Sequence, residues 1–310
     1  MSQRALYDAP DDPRRAGETD GELSLRFYDV VSRDGTRLRA WTNDADGPVV
    51  LLCNGLGTNP YAWPALLRRD CGVRVVSWNH RGVGGSERPA DPARVRVADF
   101  VEDALAVLDD AGLDRVPALG WSIGVNTMFE LALMHPDRVA GLFAVCGVPG
   151  GTFASMGAPI FLPRPVRRPL TVGLTSLLER AGSALTPVTS RLPVGPRGAW
   201  ALAHSGFMLP GADADDVARA VREFLTTPID WYMHLALAAS RHRRVSLRGV
   251  RVPTAFVAGK WDVLASSHDM RTAAERIPGA TYAELPASHF VQLERPHEVH
   301  EQLLAFLAHT

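Results

Sequence analysis

Short apolar runs alternate with segments of helical periodicity along most of this chain. The runs at 25–31 and 36–41 alternate polar with apolar residues, which predicts a β-hairpin with one solvated face. The next run, 49–53, is apolar throughout, as is typical of a strand buried on both faces of a parallel sheet. Apolar positions from Val97 to Leu108 then recur at helical spacing. Strands that alternate with helices in this way predict βαβ units and an α/β fold.

The pattern changes in the middle of the chain, where strand signals vanish and prolines separate what we interpret as short amphipathic pieces. Helical stripes remain at Val217–Leu225 and Trp231–Ser240. Strand and helix signals resume after residue 250. We therefore expect four segments: a loose tail over 1–22, a core formed by 23–148 and 251–310, and an inserted helical lid over 149–250.

A glycine-flanked serine lies between a predicted strand and a predicted helix, in Gly120-Trp121-Ser122-Ile123-Gly124. A side chain at such a sharp turn projects from the edge of the sheet, and the crowded backbone favours glycine two residues before and after it. The following helix directs its free N–H groups toward the same point, which suits an anion that forms beside Ser122. The strand before and the helix after the motif favour a nucleophile over a solvated serine in a glycine-rich turn.

A serine nucleophile needs a base and a group that orients the base, and two later residues follow predicted strands. Asp262 follows the strand at 254–258, and His289 follows the strand at 281–285. The working loops of open parallel sheets gather at the carboxyl ends of the strands, so these side chains are expected near Ser122. The competing interpretation is that Asp262 caps a helix and His289 braces a loop.

From about residue 25 to its end the chain resembles the α/β-hydrolase superfamily. The resemblance rests on five segments in family order: Asn54-Gly55-Leu56-Gly57, Asn79-His80-Arg81-Gly82-Val83-Gly84-Gly85-Ser86, Gly120-Trp121-Ser122-Ile123-Gly124, Gly259-Lys260-Trp261-Asp262 and Ser288-His289-Phe290. It implies a mostly parallel sheet flanked by helices, with an inserted lid. It also implies that Ser122 is the nucleophile, His289 the base and acid, and Asp262 the group that orients His289. The backbone N–H groups of Leu56 and Ile123 would form the oxyanion hole.

The chain departs from many relatives at three positions. Asn54 stands where many have histidine, Asn79 where many have aspartate, and Val125 where many have a second glycine. These departures leave the subfamily unassigned, but all three predicted catalytic residues are present. Dehalogenases and epoxide hydrolases of this superfamily carry aspartate at the elbow, so Ser122 argues against those activities.

Composition narrows the possible partners. The 310-residue chain carries a formal net charge of -1, which gives no global reason to expect nucleic acid as a partner. No apolar run reaches the length of a membrane-spanning helix, and the polar start lacks the apolar core of a secretory signal. The three cysteines are scattered, without metal-ligand spacing. We therefore expect a cytoplasmic enzyme with no cofactor and no metal, acting on a small molecule; the oligomeric state is left open.

Several other polar residues are weaker candidates. His80 is interpreted as a structural loop histidine, Asp103 as a helix-surface residue, and the pair His297 and His300 as lacking further metal ligands. The glycine clusters do not fit a dinucleotide fingerprint. Two basic clusters are expected to be solvated faces, with an anion site as the alternative: Arg164, Arg167 and Arg168, and Arg241, Arg243 and Arg244.

The resulting hypothesis is an esterase of the carboxylesterase or lipase type, possibly a lactonase, that works through an acyl-enzyme on Ser122. The alternatives are a carbon–carbon bond hydrolase or cofactor-free perhydrolase with the same triad, and a non-catalytic ligand-binding protein of the same fold. Six residues are predicted to line the substrate pocket: Asn54, Trp121, Phe207, Trp231, Met233 and Phe290. Further apolar lid residues are expected to add to its walls: Met156, Ile160, Phe161, Leu162, Trp200, Met208 and Tyr232.

Overall fold

The computed structural model describes residues 23–157, 163–189, 191 and 194–310. The predicted tail at 1–22 lies outside these residues. Eight strands form one sheet: β1 (Arg26–Val31), β2 (Arg37–Thr42), β3 (Val49–Cys53), β4 (Arg74–Trp78), β5 (Val116–Trp121), β6 (Val139–Val145), β7 (Thr254–Gly259) and β8 (Thr281–Leu285).

The sheet is mostly parallel, with the order β1-β2-β4-β3-β5-β6-β7-β8. Strand β2 pairs antiparallel with both β1 and β4, and every other neighbouring pair is parallel. The predicted hairpin therefore forms one edge of the sheet. The uniformly apolar strands are the central ones because both of their faces are covered.

Helices cover both faces of the sheet. Within the described residues the α-helices are α1 (Val97–Asp110), α2 (Gly124–Met134), α3 (Thr152–Ser155), α4 (Arg164–Thr189), α5 (Pro196–Ala203), α6 (Ala214–Phe224), α7 (Ile229–Ser240), α8 (Ser267–Ala274), α9 (Val291–Glu294) and α10 (Pro296–Leu307). Leu108, Leu131 and Met270 bury against one face of the sheet, and Val299 and Leu303 against the other. This arrangement is the α/β-hydrolase fold that the sequence predicted.

The prediction of short helical pieces is wrong for residues 164–189, which form one helix, α4. Pro165 falls in the first turn, where backbone N–H groups have no partner within the helix. Pro169 and Pro187 both lie inside the helix, where each removes a backbone N–H donor. Close packing against α7 offsets that loss: a Cβ on Gly182 would lie 2.4 Å from the backbone nitrogen of Asp230.

The segment between residues 149 and 250 contacts three loops of the sheet region. The indole N–H of Trp231 donates to the carbonyl of Arg81 at 2.8 Å, after β4. The Asn59 amide donates to the carbonyl of Ala220 at 3.1 Å, after β3. The ring of Phe207 packs edge-on against Phe290 with centroids 5.3 Å apart, after β8. These loops all follow the carboxyl ends of strands.

The two connections between this helical segment and the sheet region run side by side. The backbone nitrogen of Val245 donates to the carbonyl of Pro149 at 3.4 Å, and that of Gly151 to the carbonyl of His242 at 3.2 Å. Gly150 has φ +84°, and a Cβ there would lie 2.2 Å from the Arg243 carbonyl oxygen. Glycine is therefore required where the outgoing chain passes the returning one.

Candidate active site

Ser122 occupies a strained turn between β5 and α2. Its φ is +56°, a left-handed conformation that few residues other than glycine adopt. A Cβ on Gly124 would lie 1.8 Å from the Cys53 carbonyl oxygen, and one on Gly120 would lie 2.7 Å from the sulfur of Met128. Both flanking positions thus exclude a side chain, and the turn holds the half-buried serine hydroxyl at the edge of the sheet.

The structure brings Ser122, His289 and Asp262 together in one hydrogen-bonded chain. The Nε2 atom of His289 lies 2.8 Å from the Ser122 hydroxyl oxygen. The Nδ1 atom of the same ring lies 2.8 Å from a carboxylate oxygen of Asp262. Asp262 is 1% exposed and His289 is 4% exposed. This geometry supports a neutral imidazole that donates from Nδ1 and accepts the serine hydroxyl at Nε2.

Asp262 is fixed by its own loop as well as by His289. Its second oxygen accepts the backbone N–H groups of Leu264 at 2.7 Å and Ala265 at 2.8 Å. The cap of the following helix is instead Ser266, whose hydroxyl accepts the N–H of Asp269. Asp262 therefore stabilises its loop and orients His289 with different oxygens.

Trp121 supports the histidine from below the elbow. Its indole N–H donates to the carbonyl of His289 at 3.0 Å, and the two rings lie 5.7 Å apart. The ring of Phe290 packs edge-on against Trp121 at 6.0 Å. Of the predicted pocket residues, Trp121 thus contacts His289, and Phe290 contacts Trp121.

The sequence predicts that the backbone N–H groups of Leu56 and Ile123 form an oxyanion hole. Among the described residues, neither the N–H of Leu56 nor that of Ile123 donates a hydrogen bond within the protein. Ile123 lies at the amino end of α2, where the helix dipole favours negative charge. Their assignment as an oxyanion hole stays a prediction.

The other predicted pocket residues have varied surroundings. The side-chain oxygen of Asn54 accepts the indole N–H of Trp63 at 3.0 Å, and its amide donates to the carbonyl of Asn59 at 3.1 Å. Asn54 therefore braces its own loop. Trp231 packs beside Val83 in a buried cluster. Met233 is partly buried, and the part of all these residues in substrate binding stays a prediction.

The additional residues predicted for the lid also differ in their exposure and contacts. Ile160, Phe161 and Leu162 lie outside the described residues. Trp200 is 61% exposed and stacks on His204, which directs it toward solvent. Met208 is buried beside Leu293, Tyr232 packs against Phe224, and Met156 is partly buried.

Sequence reasoning missed Glu294, a buried acid that organises the histidine loop. Its carboxylate accepts the backbone N–H of Ser288 at 2.7 Å and also accepts the Ser288 hydroxyl. The same carboxylate accepts the backbone N–H of Leu209 at 2.8 Å. Glu294 therefore joins the loop that carries His289 to the helical segment. The available signal was an acid five residues after the candidate base, in Val291-Gln292-Leu293-Glu294.

The interpretation of Asp103 as a surface residue is wrong. Asp103 is fully buried on α1, where its carboxylate accepts the guanidinium N–H groups of Arg81 at 2.6 and 2.9 Å. Arg81 also donates to Asp34, and the Ser32 hydroxyl donates to Asp103 at 2.6 Å. This network anchors the glycine-rich loop after β4.

His80 is buried next to this network and packs edge-on against Phe100 with centroids 4.8 Å apart. Burial lowers its pKa to about 4, so the ring is neutral near pH 7. Within the part of the chain that the structure describes, its Nδ1 has no hydrogen-bond partner. The environment of His80 is thus apolar packing.

The cysteines are buried as free thiols, and burial raises the pKa of Cys53 and of Cys146. The nearby Asp262 carboxylate adds to the rise at Cys146. Among the described residues, no group of three or more His, Cys, Asp or Glu side chains could hold a metal ion. His300 instead approaches the carbonyl of Cys71 with its Nε2 at 2.8 Å. None of the described helices is both long and apolar enough to cross a membrane.

Comparisons with known proteins agree on the fold. A family model described as the alpha/beta hydrolase fold matches residues 48–170. Epoxide hydrolase A of Mycobacterium tuberculosis is 28% identical over 313 residues, covering 90% of this chain and 96% of that protein. A hydrolase from Pseudomonas aeruginosa PA01 superposes with a TM-score of 0.69 at 24% identity, over 91% of this chain and 98% of the other. The enol-lactonase from Burkholderia xenovorans LB400 superposes with a TM-score of 0.66 at 24% identity, over 91% and 100%.

Proposed function

We propose that this chain, which belongs to the α/β-hydrolase superfamily, is a serine hydrolase that cleaves a carboxylic ester in a small molecule. The observation that carries the proposal is the continuous hydrogen-bonded chain from Ser122 through His289 to Asp262, with 2.8 Å at each step. A lactone is an internal ester, so the same chemistry extends to lactone substrates.

The proposed reaction uses the geometry in two halves. His289 Nε2 accepts the proton of Ser122 while the Ser122 oxygen attacks the ester carbonyl. The N–H groups of Leu56 and Ile123 bind the resulting oxyanion. His289 then protonates the departing alkoxide, which leaves an acyl group on Ser122. Water gives a proton to His289 as the water oxygen attacks the acyl carbonyl, and His289 then returns that proton to the Ser122 oxygen as the acid is released. Asp262 stabilises the charged imidazole in both halves.

The chain is similar to an epoxide hydrolase, but epoxide opening and ester cleavage need different nucleophiles. A carboxylate nucleophile that opens an epoxide forms an ester, and water can attack its carbonyl. A serine that opened an epoxide would form an ether, which has no carbonyl for water to attack. Ser122 could therefore complete a catalytic cycle with an acyl substrate and not with an epoxide.

We further propose that residues 149–250 act as a lid over the core formed by 23–148 and 251–310. Phe207 from the helical segment contacts Phe290, the residue after His289. An apolar side chain from the insertion thus stands next to the proposed base, which favours a moderately hydrophobic acyl group.

The first experiment is reaction of the folded protein with a fluorophosphonate probe, followed by mass mapping of the adduct. We expect one adduct, on Ser122, which Ser122→Ala abolishes. Hydrolysis of p-nitrophenyl esters by that variant should fall by about 10⁴-fold or more. The exposed Ser183 on α4 offers a matched control, because Ser183→Ala should react as the wild type does.

The second experiment grades the acyl chain length and adds simple lactones. An apolar pocket predicts that kcat/KM rises from acetyl to longer acyl groups. A preference for acetyl over every longer group would contradict the pocket proposal and leave the triad proposal standing. A folded protein that forms no Ser122 adduct and cleaves no ester would contradict the hydrolase proposal itself.

A further inference from the structure

A basic cavity lies where the helical segment joins the sheet region. Its volume is about 440 Å³, and four arginines line it: Arg168 from α4 together with Arg241, Arg243 and Arg244 that follow α7. His242 lines it as well. Gly151 and Phe153 contribute the wall on the side of the outgoing chain. The cavity therefore spans both connections of the segment.

The charge in this cavity is unbalanced, although the whole chain is nearly neutral. The sequence holds 33 lysines and arginines against 34 aspartates and glutamates. Within the described part of the chain, no aspartate or glutamate lines the cavity. Among the described residues, no carboxylate lies within 4.0 Å of the guanidinium of Arg241 or Arg243. The positive charge is thus concentrated at one place and lacks a protein counter-ion there.

Two acids near the rim of the cavity contact Arg244 and His242. A carboxylate oxygen of Asp269 lies 3.7 Å from the guanidinium of Arg244, a long contact at a half-exposed side chain. Glu130, on α2, lies 2.8 Å from His242 Nε2. Arg168 contacts the carbonyl of Ser240 at 3.5 Å. These contacts position the rim and leave Arg241 and Arg243 available to a ligand.

We propose that this cavity binds a compact, phosphate-bearing small molecule. Guanidinium groups donate paired N–H bonds that match phosphate oxygens, and a ligand with at least two negative charges relieves the repulsion among four neighbouring arginines. Such a ligand contacts Arg168 on one side of the cavity and Arg241 or Arg243 on the other. It therefore fastens α4 to the chain that returns from α7. The proposal is independent of the hydrolase activity proposed above.

The test measures binding of inorganic pyrophosphate to the full chain by calorimetry and by thermal unfolding. Pyrophosphate should raise the midpoint of unfolding, whereas sodium chloride of equal ionic strength should not, because ligands that bind the folded state stabilise it. Arg241→Gln and Arg243→Gln should each weaken pyrophosphate binding by about tenfold. Arg248 is exposed and lies outside the cavity lining, so Arg248→Gln is the matched control and should bind as the wild type does.

Three results would overturn the proposal. The first is an equal response to chloride and pyrophosphate, which would indicate general screening. The second is an equal loss of affinity in Arg248→Gln and in the cavity variants. The third is binding to vesicles that contain phosphatidic acid without any response to soluble pyrophosphate, which would assign the arginines to a lipid surface instead.

Discussion

The carboxylate of Glu294 lies 2.8 Å from the backbone nitrogen of Leu209 and so connects the histidine loop to the helical segment. The same carboxylate holds the N–H and the hydroxyl of Ser288, the residue before His289. Glu294 touches none of the three residues of the proposed triad. We therefore regard Glu294 as a positioning residue, which holds the loop that carries His289 against the helical segment.

Glu294→Gln should lower kcat/KM for ester hydrolysis by about tenfold, because an amide cannot accept all three of these donors and the His289 loop shifts. The rate of fluorophosphonate labelling at Ser122 should fall in parallel. Glu298→Gln is the matched control, since Glu298 is half exposed and makes only a long contact, 4.0 Å, with Arg295. A folded Glu294→Gln protein that labels at the wild-type rate would contradict this role.

Gly124→Ala should destabilise the protein by about 3 kcal/mol or more, because the added methyl group meets the Cys53 carbonyl at 1.8 Å. Neither β3 nor α2 can move away without disturbing the sheet. Gly173→Ala tests the opposite case inside α4, where no atom lies within 4 Å of the new Cβ. That variant should be neutral or stabilised by up to about 1 kcal/mol in urea unfolding, since alanine favours a helix. Equal effects at both positions would refute the steric argument.

Asp103→Asn should cost about 3–5 kcal/mol of unfolding free energy, because it leaves the buried Arg81 with too little compensating charge. Asp109 offers a surface comparison: it pairs with Arg138 at 2.7 Å but is 67% exposed. Asp109→Asn should cost less than about 1 kcal/mol. The double substitution Arg81→Met with Asp103→Leu should recover part of the loss. If Asp103→Asn unfolds as readily as Asp109→Asn, the buried pair is not an anchor.

His80 should make the protein less stable in acid. Its pKa is about 4 in the folded protein against a usual value of 6.5, so the unfolded chain takes up the proton first as the pH falls. The contribution to stability is therefore complete above about pH 6.5 and is lost progressively as the pH falls to 4. Between pH 7 and 4 the wild type should lose about 3 kcal/mol more than His80→Leu.

Urea unfolding at a series of pH values measures this difference. His309 is exposed near the end of the chain, so His309→Gln is expected to follow the wild type throughout. Parallel curves for the wild type and His80→Leu would show that the His80 ring takes up its proton equally in both states.

The features that the sequence could predict are those encoded locally. The period of the apolar residues distinguishes strands from helices, and the glycines around Ser122 mark a turn too crowded for side chains. Asp262 and His289 could be placed because each directly follows a strand, and the sheet then brings the strand ends together. In all three cases a short segment carries its own signal.

The features that it could not predict depend on residues far apart along the chain. Asp103 occupies a helix position that resembles a surface site, and its burial depends on Arg81 in another loop. Three prolines in α4 indicate interruption locally, whereas contact with α7 stabilises the continuous helix. Glu294 is one acid among many until the fold places Leu209 and Ser288 against it.

The close passage of Gly150 beside Arg243 has an evolutionary consequence. The chain leaves the sheet and returns to it at neighbouring points, so whatever lies between begins and ends in the same place. Replacing that stretch by a shorter or longer one changes the closure entropy only slowly with length. Evolution can therefore exchange the proposed lid for another segment, while the strands beneath keep their register.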